Sequence, residues 1–225
     1  MGTRVRSPAS FTLLASFVIR TLRLETGCYL PALMFPLTGS MGLPVSYFAF
    51  GDEGLALAIV YFTFGTIGSF TIGAALAEGK FSLGGIFRIP VVYAVVIAVA
   101  MQLTGLRLPA WIFNTVDLLG GIVIPAQLVA LGYSLLQLRV GGIARSASLG
   151  VFRLAMGMAV GFAIAELFSL DGAARAIVII QSAMPVAVSS YLFAEKFNRR
   201  PEEVAGMVIV STAVSFVTLP FLLLL

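Results

Sequence analysis

"MFPLTGSMGLPVSYFAFGDEG", residues 34–54, begins like the middle of a membrane span. Yet its first eleven residues hold two prolines, two glycines, a threonine and a serine. Each helix breaker frees backbone groups, and lipid offers no water to pair with them. Breakers at mid-membrane depth are tolerated only where the irregular backbone is buried in protein or lines a wet cavity. The stretch therefore raises the question of what accepts its freed hydrogen bonds.

The surrounding chain makes the bilayer certain. Its 225 residues are 60% hydrophobic and only 11% charged, with mean hydropathy +1.06; a soluble domain carries about a quarter charged residues. The modest excess of Lys and Arg, 14 against 10 acidic residues, is loop charge that sets orientation, and no nucleic-acid partner is expected. The single cysteine, Cys28, excludes an intrachain disulfide framework and a Cys-based metal cluster. The absence of histidine excludes imidazole catalysis, His-ligated haem and the usual zinc sites. Without a phosphate-cradling Walker sequence, nucleotide hydrolysis by that route is excluded too. No cofactor is expected.

A span needs about 20 apolar residues, and about eight such segments can be read: 9–24, 28–49, 54–77, 86–105, 110–137, 147–169, 173–195 and 203–225. The basic start and short apolar run at the N-terminus mimic a secretory signal. Arg20 and Arg23 follow in place of a small-residue cleavage site, so the segment is expected to remain as a span. With this count, Arg20, Arg23, Lys80, Arg88, Arg139, Arg145, Lys196, Arg199 and Arg200 fall on one side, nine charges against four (Arg4, Arg6, Arg107 and Arg175) on the other. The richer side is expected to face the cytoplasm, leaving both termini outside the cytoplasmic membrane.

The breakers recur. "GSMGLPVSYFAFGDEGLA" has an echo in "QSAMPVAVSSYLFAEKFNRRPEEVA": Pro44 precedes Ser46-Tyr47 as Pro185 precedes Ser190-Tyr191. The following spans agree as well, "GTIGSFT" at 65–71 against "STAVSFVT" from 211. The offset is about 144 residues with five spans between the copies, so the second copy is upside down. That is the sign of an inverted repeat of the kind secondary transporters use. The second span is expected to unwind around Thr38–Pro44 and the seventh around Gln181–Pro185, aiming half-helix N–H groups at a small anion such as a carboxylate.

At these residues the chain resembles the auxin efflux carrier family, whose bacterial members include malate and malonate permeases. Residues 42–58 are similar to the family's first crossover helix and the loop after it, and residues 181–220 to its second crossover and final span. A Gln-x-Ala-x-Pro core is present as Gln181, Ala183 and Pro185, followed by Phe193, Ala194, Asn198 and Pro201; "IPAQLVALGYSL" (124–135) resembles the proline-containing span. The resemblance implies an all-α integral membrane protein with an inverted-repeat fold, like bile-acid symporters and NhaA-like antiporters. The family usually has ten spans in two sets of five. Here residues 1–78 are expected to be a truncated first repeat lacking two spans, and 79–225 a complete second repeat. A second departure is Leu37 and Ser40, at positions where the family's first crossover commonly starts with asparagine.

The implied function is a permease for a small organic anion such as a dicarboxylate, by alternating access. Substrate contacts are expected from Thr38, Ser40, Gly42, Pro44, Pro125, Gln127, Gln181, Ser182 and Pro185. Asp117, near Asn114 in the fifth span, is a candidate proton carrier, because intramembrane carboxylates are costly and therefore functional suspects. Arg153 and Glu166 read as residues that snorkel to a membrane face. Thr66, Ser69, Thr212 and Ser215 read as small residues that permit close helix packing. Two alternatives stay open: a truncated, non-transporting or partner-binding membrane protein, and a membrane-embedded enzyme. The enzyme would need an acidic, His or Cys cluster that the sequence does not offer. Homodimerisation, coupling ion and substrate identity stay open too.

Overall fold

The computed structural model describes residues 26–73, 75–76, 90–106, 108–139 and 141–223. The expected first span, 9–24, lies outside the described residues. The chain is an all-α membrane protein. Its helices are α1 (Thr26–Met34), α2 (Thr38–Gly73), α3 (Pro90–Thr104), α4 (Ala110–Gln137), α5 (Ile143–Leu167), α6 (Gly172–Ser182), α7 (Val188–Lys196) and α8 (Pro201–Leu222). Among the described residues four helices, namely α2, α4, α8 and the Arg145–Leu167 stretch of α5, are long and apolar enough to cross a bilayer.

Two prolines decide the architecture. Pro36 has no N–H to continue α1 and disfavours helical backbone at Phe35, so the helix stops at Met34. Pro185 acts on Met184 in the same way, and α6 ends at Ser182. The two breaks meet as an isolated antiparallel bridge between Pro36 and Val186. Leu37 N donates to Pro185 O at 2.8 Å, and Ala187 N donates to Phe35 O at 3.2 Å. Pro36 has no outward N–H to satisfy; that of Val186 is accepted by Ser211 Oγ of α8 at 3.1 Å. Three donors at the two breaks, Leu37 N, Val186 N and Ala187 N, thus find partners inside the protein, as a hydrocarbon surround requires.

The first break lies upstream of its expected place. Phe35–Leu37 is the non-helical stretch, while Thr38–Gly42 forms a wide π-helical turn that runs into the helix from Leu43. Pro44 falls in the first turn of that regular segment. A ring that would clash with an ordinary preceding turn is accommodated by a widened one. The expected loop around residues 50–53 shrinks to a kink at Gly51, whose φ of 60° and ψ of −147° suit a residue without Cβ.

Around the crossing, α5 lies against α8 and α6, while α2 packs on α6. Close approach depends on small residues. A Cβ at Gly157 would collide with the Ser182 carbonyl and the Arg153 guanidinium, and one at Gly161 would sit 2.9 Å from Ile179 Cα. At one end Glu203 Oε1 pairs with Arg200 Nη1 at 3.1 Å, and Glu203 Oε2 lies 3.8 Å from Arg145 Nη1. The Tyr29 hydroxyl also donates to Glu203, tying α1, α5 and α8 together. Pro201, Glu202 and Glu203 open the last helix. Among the described residues α3 touches α2, and α4 touches α2 and its first turn; Leu131, the buried residue of α4, packs in one cluster with Met41, Ile180 and Leu219.

Gly157→Ala is expected to cost about 2–3 kcal/mol through overpacking. Gly132→Ala, with nothing within 4 Å of its Cβ, should stay within about 0.5 kcal/mol of wild type. Thermal unfolding midpoints of the detergent-solubilised chain check both; equal midpoints for the two variants would contradict the packing described.

Candidate functional site

A cavity of about 390 Å³ opens beside the bridge, lined by Phe35–Ser40, by Phe62, Gly65, Thr66, Ser69 and Phe70 of α2, by Gln127 of α4, and by Ala187, Val188 and Ser189. Two helix starts face it: Thr38–Ser40 opens α2, and Val188 and Ser189 open α7. An α-helix leaves its first N–H groups without carbonyl partners, and a side chain at the N-cap usually takes one of them. Here the N-cap residues are Leu37 and Ala187, and neither start has a side-chain cap. Thr38 N donates to Pro36 O at 2.9 Å, and the positive dipole ends of both starts open toward the cavity.

The walls add donors. Ser40 Oγ donates to Gln127 Oε1 at 3.0 Å, joining the crossover to α4, and Ser69 Oγ lies 3.5 Å from Ser189 Oγ. Thr38 and Thr66 complete the hydroxyl set. Among the described residues the lining contains no carboxylate. Hydroxyls, an amide and two helix starts thus line one small cavity.

The expected site residues fall into three places. Thr38, Ser40 and Gln127 line this cavity. Pro44, Pro125 and Asp117 line a second, mostly apolar pocket of about 740 Å³ between α2 and α4, with Gln127 on the wall common to both. Gly42, Gln181 and Ser182 pack behind the crossover: Gln181 is fully buried and its Nε2 donates to Ser46 Oγ at 3.2 Å. A Cβ at Gly42 would strike the Gln181 amide. Pro185 contributes its carbonyl to the bridge.

Several readings of single residues change. Thr66 and Ser69 line the cavity, whereas their counterparts Thr212 and Ser215 are fully packed, with Ser215 Oγ donating to Thr212 O at 2.6 Å. Arg153 does not reach a membrane face: it is 0% exposed and its Nη1 donates to Ser182 O at 3.2 Å. Glu166 is exposed at a helix end and paired with Arg175 at 2.6 Å. Sequence reasoning missed Ser189 and Tyr61. Ser189 was legible from its place directly after a proline break, where a new helix start exposes its N–H groups. Tyr61, whose hydroxyl lies 2.9 Å from Ser182 Oγ, has no such signal.

Comparison with known proteins follows the same line. A family model described as membrane transport protein matches residues 7–223. An uncharacterized transporter of Methanocaldococcus jannaschii is 22% identical over 192 residues, 81% of this chain and 62% of that protein. An uncharacterized transporter of Methanothermobacter thermautotrophicus is 26% identical over 190 residues, again 81% of this chain and 62% of the relative. The chain thus spans about three fifths of the length of these curated relatives. No solved structure matches.

If the cavity is wet, cysteines introduced at Ser40, Thr66 and Ser189 react in membranes with a small charged thiol reagent. Cysteines replacing Ser46 and Ser211, both 0% exposed, and the native buried Cys28 should stay unlabelled. Labelling at equal rates across all these positions would contradict the site.

Proposed function

The chain belongs to the membrane transport protein family, the auxin efflux carriers, and we propose that this multi-pass transporter is a secondary carrier of a small organic anion of the dicarboxylate kind. The observation that carries this reading is the convergence of two uncapped helix starts on one carboxylate-free cavity at the paired breaks. In carriers with broken helices, half-helix N-termini point at the anionic groups of the substrate. Carboxylates accept the hydrogen bonds that such N–H groups and hydroxyls offer, and charge-assisted bonds of this sort are the stronger class.

Alternating access would come from motion of the crossover bundle against α4. The cavity lies at their boundary, where Ser40 of the crossover meets Gln127 of α4. The antiparallel sense of the bridge is what two oppositely oriented copies would produce, which supports an inverted repeat of 1–78 with 79–225. Asp117 remains a candidate for proton coupling, since its pocket shares Gln127 with the cavity. We place the protein in the cytoplasmic membrane with both termini outside, on the charge bias of its loops.

Proteoliposomes holding the purified full chain should accumulate labelled malonate above empty vesicles. Pro185→Ala, which allows α6 and α7 to run on as one helix, should lower the rate about ten-fold, a loss of about 1.4 kcal/mol in transition-state terms. Absence of uptake for malonate and for a broad panel of small organic anions by folded protein would overturn the reading.

A further inference from the structure

Arg153 lies midway along α5, fully buried. Burying a guanidinium costs several kcal/mol before its partners compensate, and charges inside membrane proteins mark functional positions. Its Nη1 bonds the carbonyl of Ser182, the last residue of α6. Tyr61 of α2 meets the same residue, its hydroxyl 2.9 Å from Ser182 Oγ. Gly157, one turn further along α5, has no side chain where a Cβ would strike both the guanidinium and the Ser182 carbonyl. The site is shaped around this one contact.

The contact has a specific electrostatic meaning. The last turn of a helix exposes carbonyls and the negative end of the dipole. In broken-helix carriers, unwound carbonyls and half-helix C-terminal ends coordinate the coupling cation, while the N-terminal ends take the anion. The N-terminal ends here face the cavity. At the C-terminal end of α6, Ser182 O is engaged by Arg153. At the end of α1, Pro31 O accepts from Phe35 N, and Phe35 O accepts from Ala187 N.

We propose that Arg153 is a built-in cation: its guanidinium takes the position at the broken end of α6 that a co-transported sodium would otherwise take, so the carrier moves its anion without sodium. Arg153 does not line the cavity and acts through α6, as a positioning residue whose fixed charge also favours an anion at the crossing. The proposal rests on the anion-carrier reading given above.

Its test has one arm that needs no transport. Unfolding midpoints of the solubilised full chain are measured in sodium chloride and in choline chloride at equal ionic strength. The expected result is the same midpoint in both salts, and a saturable rise specific to sodium would overturn the proposal. Arg153→Lys, which keeps a cation, should behave like wild type. Arg153→Met, neutral and of similar length, should acquire a sodium-specific rise; a folded Met variant indifferent to sodium would overturn the proposal. If that variant does not fold, the wild-type titration still decides. In proteoliposomes, labelled malonate uptake should agree within about two-fold between sodium and choline gradients. Stimulation by sodium of about ten-fold, the size of ordinary coupling between two ligands, would overturn the role of Arg153 and leave the carrier standing. Absence of uptake in both salts would instead overturn the carrier reading, and with it the proposal.

Discussion

The structure depends on one constraint: backbone N–H and C=O groups freed by a helix break cannot be left to lipid. Pro36 and Pro185 each break a helix, and each break answers the other through the Leu37 N to Pro185 O and Ala187 N to Phe35 O bonds. Neither interruption is tolerable alone, because an unpaired peptide group in a low-dielectric surround costs roughly 2–7 kcal/mol. Pairing them fixes where the two halves of the chain touch. It also brings the following helix starts to one cavity, where neither has a side-chain cap. The site follows from the way the break is repaired.

The packing around the crossing serves the same end. Gly157 and Gly161 let α5 approach α6 closely enough for Arg153 to reach the Ser182 carbonyl. Gln181 and Ser46 fill the other side. Ser211 accepts the remaining N–H of the bridge and passes a hydrogen bond on to Val208 O. Buried polar side chains at the broken segments include Arg153, Gln181, Ser182 and Ser211, whereas α3 and α4 carry mainly exposed apolar residues such as Leu103, Leu119 and Val129.

Much of this was legible in the sequence. Composition fixes the membrane and the helical class, and the second break stands where Gln181–Pro185 suggested. The first break was placed too far along the chain. Matching Ser46-Tyr47 with Ser190-Tyr191 makes Pro44 the partner of Pro185, yet backbone sterics make Pro36 the terminator and a π-helical turn absorbs Pro44. Arg153 misled for a related reason. A long cationic side chain near a span end usually snorkels outward, and only the tertiary fold reveals a carbonyl end waiting within reach. Thr66 and Thr212 are alike in sequence and different in place, since one side of the crossover opens into the cavity and the other is sealed by packing.

The bridge itself offers the most direct measurement. Pro36 and Val186 form the pair flanked by, rather than sharing, the two hydrogen bonds, a geometry with Cα atoms about 4.5 Å apart. That separation lies within the range of about 4.4–6.8 Å that a disulfide spans. Both prolines are kept by using the neighbouring opposed pair, Phe35 and Ala187, joined by the Ala187 N to Phe35 O bond, where Cα atoms lie about 5.5 Å apart, in the same range. In a chain with Cys28→Ala, Phe35→Cys and Ala187→Cys, mild oxidation in membranes followed by mass spectrometry of the peptides reads the crossing point. The account predicts an intramolecular disulfide between the two positions. Two thiols that stay reduced under oxidation, while remaining open to alkylation, would contradict it.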